Sequence, residues 1–123
     1  MKTPNLTDLQ KRAFIDLLIM GMYVDQNLSS TEDARVQHVL DTFQFTSDYE
    51  RQQFLDASFT RVSRQMGSED SIRTYVTQLA SNFSTRQTLQ DVYEALNDVI
   101  TSDRNVTSKE TQLLSVVREA FRL

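Results

Sequence analysis

The chain has 123 residues, a net charge of -4 at neutral pH, two glycines, one proline and no cysteine. That length suits one domain with a real core, and the acidic balance argues against a general nucleic-acid or anionic-membrane binder, since both need a basic face. The missing cysteines remove disulfides, thiolate metal sites and a cysteine nucleophile, while so few glycines, prolines and β-branched alternations predict an all-α fold.

Six helices are predicted, and their starts are marked by capping boxes. In that motif a hydroxyl accepts from the N3 amide while the N3 side chain reaches back to the cap. Thr7 with Gln10, Ser29 with Glu32, Ser47 with Glu50, Ser84 with Gln87 and Thr107 with Glu110 all fit. Ser68 is a plainer N-cap after Gly67, which suits the end of the preceding helix. The first helix is predicted over residues 8–24 and is apolar nearly all round from Ala13, so it should be central and buried. The second, residues 30–43, carries Ala34, Val36, Val39, Leu40 and Phe43 at helical spacing. The third (48–66) offers Phe54, Leu55, Phe59, Val62 and Met66, and the fourth (69–82) Ile72, Tyr75, Val76, Leu79 and Phe83. The fifth (85–102) offers Leu89, Val92, Tyr93, Leu96, Val99 and Ile100; the sixth (108–121) offers Leu113, Leu114, Val116, Val117 and Phe121. Short loops predict antiparallel or steeply crossed neighbours.

The apolar run of residues 13–24 is short, contains Asp16 and lacks a small-residue cleavage pattern, which argues against a signal peptide or a membrane span. A cytoplasmic protein is the expectation. Gly21, beside Met20, Met22 and Tyr23, allows close helix approach. Asp16 in this helix is expected to be paired or to face the surface, because a lone buried carboxylate is costly. His38 reads as a surface or boundary histidine, and Arg51, Arg61, Arg64 and Arg73 read as a solvated face. There is no phosphate-binding glycine loop, HExxH or nucleophile elbow. No catalytic residue is expected, and no enzyme.

Two stretches remain, Asp25-Gln26-Asn27-Leu28-Ser29-Ser30-Thr31-Glu32 and Asp103-Arg104-Asn105-Val106-Thr107-Ser108-Lys109-Glu110. Both read D-x-N-[LV]-[ST]-S-x-E. Residues 13–43 slide onto 91–121 at one offset, aligning Leu18 with Leu96, Val39 with Val117, Phe43 with Phe121 and Asp16 with Glu94. One helix–loop–helix unit thus reads as used twice, with a different helix pair between the copies. An EF-hand is rejected, because Ser30 and Ser108 replace its glycine and Val36 and Leu114 its bidentate glutamate. Most of each octet is turn and cap chemistry: Asn27 and Asn105 tolerate a left-handed turn, Ser29 and Thr107 cap the next helix with Glu32 and Glu110, and Leu28 and Val106 plug the core. Asp25 and Asp103 are left as structural loop residues or ligands.

The apolar helix, the Asp-x-x-[LV]-[ST]-x-x-Glu loop and the amphipathic helix, near both ends of a small all-α chain, resemble the TerB family. That family includes the tellurite-resistance protein TerB and a related domain of some membrane-anchored J-domain co-chaperones. Residues 14–40 and 92–117 carry the likeness. The resemblance implies one compact helical domain over residues 1–123, with 1–5 as a tail. It also implies a cluster of Asp25, Glu32, Asp103 and Glu110 as metal ligands. Oxygen ligands of this kind suit calcium, magnesium or manganese. The function implied is a non-enzymatic domain in a stress or tellurite-resistance response, acting with a protein partner and without nucleic acid or membrane insertion. Gln26 and Arg104 stand where the family commonly has glycine, which favours the alternative, a metal-free interaction or adaptor module.

Overall fold

The structure is a computed structural model that describes residues 6–24, 30–101 and 107–123, with the side chains of residues 30–32 left out. Six α-helices and no strand make up the described residues. In chain order they are α1 (Asp8–Tyr23), α2 (Ser30–Thr42), α3 (Asp48–Ser63), α4 (Glu69–Ala80), α5 (Arg86–Ile100) and α6 (Ser108–Ala120). α1 packs against α2, α3, α4 and α5, and α6 closes on α4 and α5.

The central place of α1 follows from its composition. Its ten residues from Ala13 to Met22 are all buried. A helix with no polar face has nothing to show to water and must be walled on every side. Phe14, Ile15, Leu17, Leu18, Ile19 and Met20 are almost wholly enclosed, each worth roughly 1.5–3 kcal/mol over exposure. Gly21 lets α1 come close to α5: a Cβ there would lie 3.0 Å from Ile100 Cδ1 and 3.1 Å from its Cγ1.

The outer helices are one-sided. α5 buries Val92, Ala95, Leu96, Val99 and Ile100 and turns Arg86, Gln87, Gln90, Glu94 and Asp98 to solvent. α2 buries Val36, Val39 and Leu40, with Phe43 just after it, whereas Ala34 is exposed. In α3 only Ser58 and Val62 are buried, and in α4 only Val76 and Leu79. Phe54, Leu55, Phe59, Met66, Ile72 and Tyr75 pack against the core while half-buried. Phe43, Phe45 and Phe54 form a triangle of rings with centroids 5.1–6.4 Å apart, an arrangement that adds to simple burial.

The caps explain where the helices begin. Thr7 with Gln10 and Thr107 with Glu110 form complete capping boxes. Ser47 accepts from the Glu50 amide, but the Glu50 carboxylate takes the Thr46 hydroxyl in place of the cap amide. Ser68 caps α4 as expected. The predicted Ser84 cap is displaced by one residue: Thr85 accepts from the Thr88 amide and α5 starts at Arg86. Ser29, the fifth predicted cap, lies outside the described residues. α3 ends at Ser63, before the predicted Met66, and Gly67 does not adopt the left-handed conformation expected of a helix-ending glycine. That conformation appears instead at Gln44 and Arg122, both with φ of 58°. These two residues follow α2 and α6 at the offset that relates residues 13–43 to 91–121.

Candidate functional site

Of the four acidic residues proposed as ligands, the structure describes the side chain of one. Asp25 and Asp103 lie outside the described residues, and so does the side chain of Glu32. Glu110 stands in the first turn of α6 and is fully buried. Its amide donates to Thr107 Oγ1 at 3.2 Å. Its Oε1 accepts from the Thr107 amide at 3.1 Å and from the Thr107 hydroxyl at 3.3 Å. The positive end of the α6 dipole favours a carboxylate there. Oε2, by contrast, is buried and has no hydrogen-bond partner among the described residues. An unmet buried acceptor costs about 1–3 kcal/mol.

The other complete box shows what capping by itself requires. At the start of α1, the uncharged Gln10 side chain does this work: its Oε1 accepts from the Thr7 amide at 3.0 Å. The remaining Gln10 nitrogen donates to the Asn82 carbonyl at 3.0 Å. Every polar atom of the glutamine head is used. A glutamine therefore caps a helix of this chain completely, and the negative charge of Glu110 exceeds what the cap needs. The surplus oxygen is hard, buried and unclaimed, which suits a hard cation. Among the described residues no group of three or more His, Cys, Asp or Glu side chains converges.

A second polar site was only half legible in the sequence. Asp16 is 1% exposed. Its Oδ1 accepts from Ser58 Oγ at 2.6 Å and Arg61 Nη2 at 2.7 Å. Its Oδ2 accepts from Arg61 Nε at 2.9 Å and Tyr75 Oη at 2.5 Å. The Arg61 fork is bidentate, the strong geometry for a carboxylate. Its hydrogen bonds to Asp16 push the guanidinium above its ordinary pKa, against desolvation that lowers it. Burial, then the bond to Asp16, push the Tyr75 hydroxyl up to about 12. Asp16 is therefore paired, as expected, but Arg61 is not on a solvated face. Glu94, at the corresponding place in α5, is exposed. The only advance signal was a lone acid in an apolar helix; nothing in the spacing of Ser58, Arg61 and Tyr75 named them as its donors.

Arg51 and Arg73 have partners nearer the surface, and Arg64 is exposed. Arg51 binds Asp41 and the Gln37 carbonyl and side chain, and Arg73 pairs with Glu119 at 2.7 Å. His38 is exposed. A groove of about 630 Å³ lies between the end of α1, the α3–α4 turn, α4 and α6. Tyr23, Met66, Ile72, Leu113 and Val116 give it apolar surface, and Arg73 and Glu119 lie beside them.

A family model described as tellurite resistance protein TerB matches residues 11–123, from the first turn of α1 to the chain end. The chain belongs to the TerB family. Its all-α fold is consistent with the compact helical domain that the resemblance implied. Comparisons with curated proteins and with solved structures returned no match. Within this TerB domain, no helix of the described residues is long and apolar enough to cross a membrane.

Proposed function

We propose that this TerB domain is a non-enzymatic cation-binding module of a tellurite-resistance or stress response, working in the cytoplasm with a protein partner. The observation that carries the reading is Glu110 Oε2, buried with no partner among the described residues, beside a cap that glutamine satisfies elsewhere in the chain. Asp25, Glu32 and Asp103 are the proposed companions. Four carboxylates without thiolate or imidazole would take calcium, magnesium or manganese.

Titration of the wild type and Glu110→Gln with each of the three ions tests this. The glutamine keeps Oε1 for the cap, as Gln10 does at Thr7. Wild type should gain about 2.7 kcal/mol at an ion concentration of 100 Kd, with shifts at the Thr107 and Glu110 amides. Glu110→Gln should fold and show neither change. Silence of both amides in wild type at millimolar ion would sink the metal reading.

The groove between α4 and α6 supports the second reading, a metal-free adaptor. Under it, Asp25→Ala and Asp103→Ala leave partner capture intact, and the ions move nothing.

A further inference from the structure

The burial of α1 poses a problem that its own sequence does not solve. A one-sided helix is oriented by its apolar stripe. From Ala13 to Met22 α1 has no such stripe, since every residue is buried. Any rotation about its axis would still place apolar side chains against α2, α3, α4 and α5. Hydrophobic patterning therefore sets where α1 lies, but not which way it is turned.

We infer that Asp16 is the residue that fixes the rotation of α1 in its socket. It is the one charged side chain in that buried stretch. Its four accepted hydrogen bonds come from a single direction: Ser58 and Arg61 on α3 and Tyr75 on α4. Turning α1 by one residue, roughly 100°, would carry the carboxylate away from all three donors. The walls formed by α2 and α5 offer it Val36, Val39, Leu40, Val92 and Leu96, none with a side-chain donor. A carboxylate stranded among them is heavily penalised. Gly21 acts from the other side. It lies roughly 140° around the helix from Asp16, where only a missing Cβ admits Ile100. Asp16 is thus a positioning residue: by turning α1 it sets Tyr23 against Phe59, ring centroids 6.0 Å apart. The use of a buried polar group to select one register among similar apolar packings is well attested in coiled coils.

The test replaces both charges, so that neither is left unpaired. Asp16→Leu with Arg61→Leu should fold, with a folded-to-unfolded ratio within about tenfold of wild type. Its NMR spectrum should show more than one set of signals for α1, α3 and α4, the minor set at about a tenth, and only one set should retain the Tyr23–Phe59 contact. A merely stabilising pair would change the melting midpoint and leave a single set. A second variant, Ser58→Ala with Tyr75→Phe, keeps the Arg61 fork and should keep one set with the ring contact. A single native-like set in the double-leucine variant overturns the inference. So does failure of that variant to fold, which would make the network a stability element, and so does signal doubling in the hydroxyl-free variant.

Discussion

Arg61→Ala gives the sharpest single measurement on this fold. The change removes two of the four hydrogen bonds accepted by Asp16, and its only ion-pair partner among the described residues. Breaking one side of a buried pair costs 3–5 kcal/mol in general, since a buried charge is left behind. Two features place this case at the lower end. Ser58 and Tyr75 still donate to Asp16, and the Arg61 side chain is 23% exposed, so water can enter where it stood. The expected loss is about 3 kcal/mol, a drop of roughly 10 °C in melting temperature for a domain of this size. Arg73→Ala is the control. It breaks an ion pair whose side chains are 57% and 67% exposed, and such pairs contribute about 0–1 kcal/mol. Urea denaturation of both variants gives the comparison directly. Adding Asp16→Asn to Arg61→Ala should recover part of the loss by removing the stranded charge. Equal effects of Arg61→Ala and Arg73→Ala would refute the claim that burial makes the difference.

Other substitutions probe separate parts of the fold. Tyr75 has its pKa raised to about 12 from 10.0, so the folded state holds that proton more tightly than the unfolded state. Its contribution is present below pH 10 and is lost as pH rises towards 12; the difference between wild-type and Tyr75→Phe stability curves should fall across that window. Gly21→Leu should cost about 1–3 kcal/mol through overpacking against Ile100, and Ile100→Ala should relieve part of it, as thermal melts of the single and double variants will show. Thr107→Ala removes both the acceptor for the Glu110 amide and a donor to its Oε1. It should cost about 1–2 kcal/mol, more than Thr7→Ala at its exposed box, by the same denaturation assay.

Reading the chain before its structure recovered what is local. Capping chemistry acts over three residues, so the Thr7 and Thr107 boxes could be placed from neighbours alone. The Ser84 prediction failed by one residue because Thr85 offers the same hydroxyl to the Thr88 amide, and spacing does not choose between them. Gly67 misled for a related reason: glycine permits a left-handed turn without demanding one, and α3 had already ended at Ser63. The buried place of α1 was legible because a helix without a polar face has one destination. The partners of Asp16 were not, since Ser58, Arg61 and Tyr75 reach it from two other helices. Glu110 shows both sides of this limit. Its capping role could be read from Thr107, whereas the isolation of Oε2 depends on everything packed above it.

The enclosure of α1 has a consequence for how the protein is made. Synthesis runs from the N-terminus, so the most apolar helix leaves the ribosome before the helices that wall it. Its walls arrive in turn, and α5, which receives Gly21 against Ile100, comes after α2, α3 and α4. Until then a greasy cylinder waits with one side open, in the form that invites association or a chaperone. A chain stalled or truncated before α5 should therefore aggregate, even though α1 to α4 are complete. Only once α5 has been made is the last wall of α1 in place.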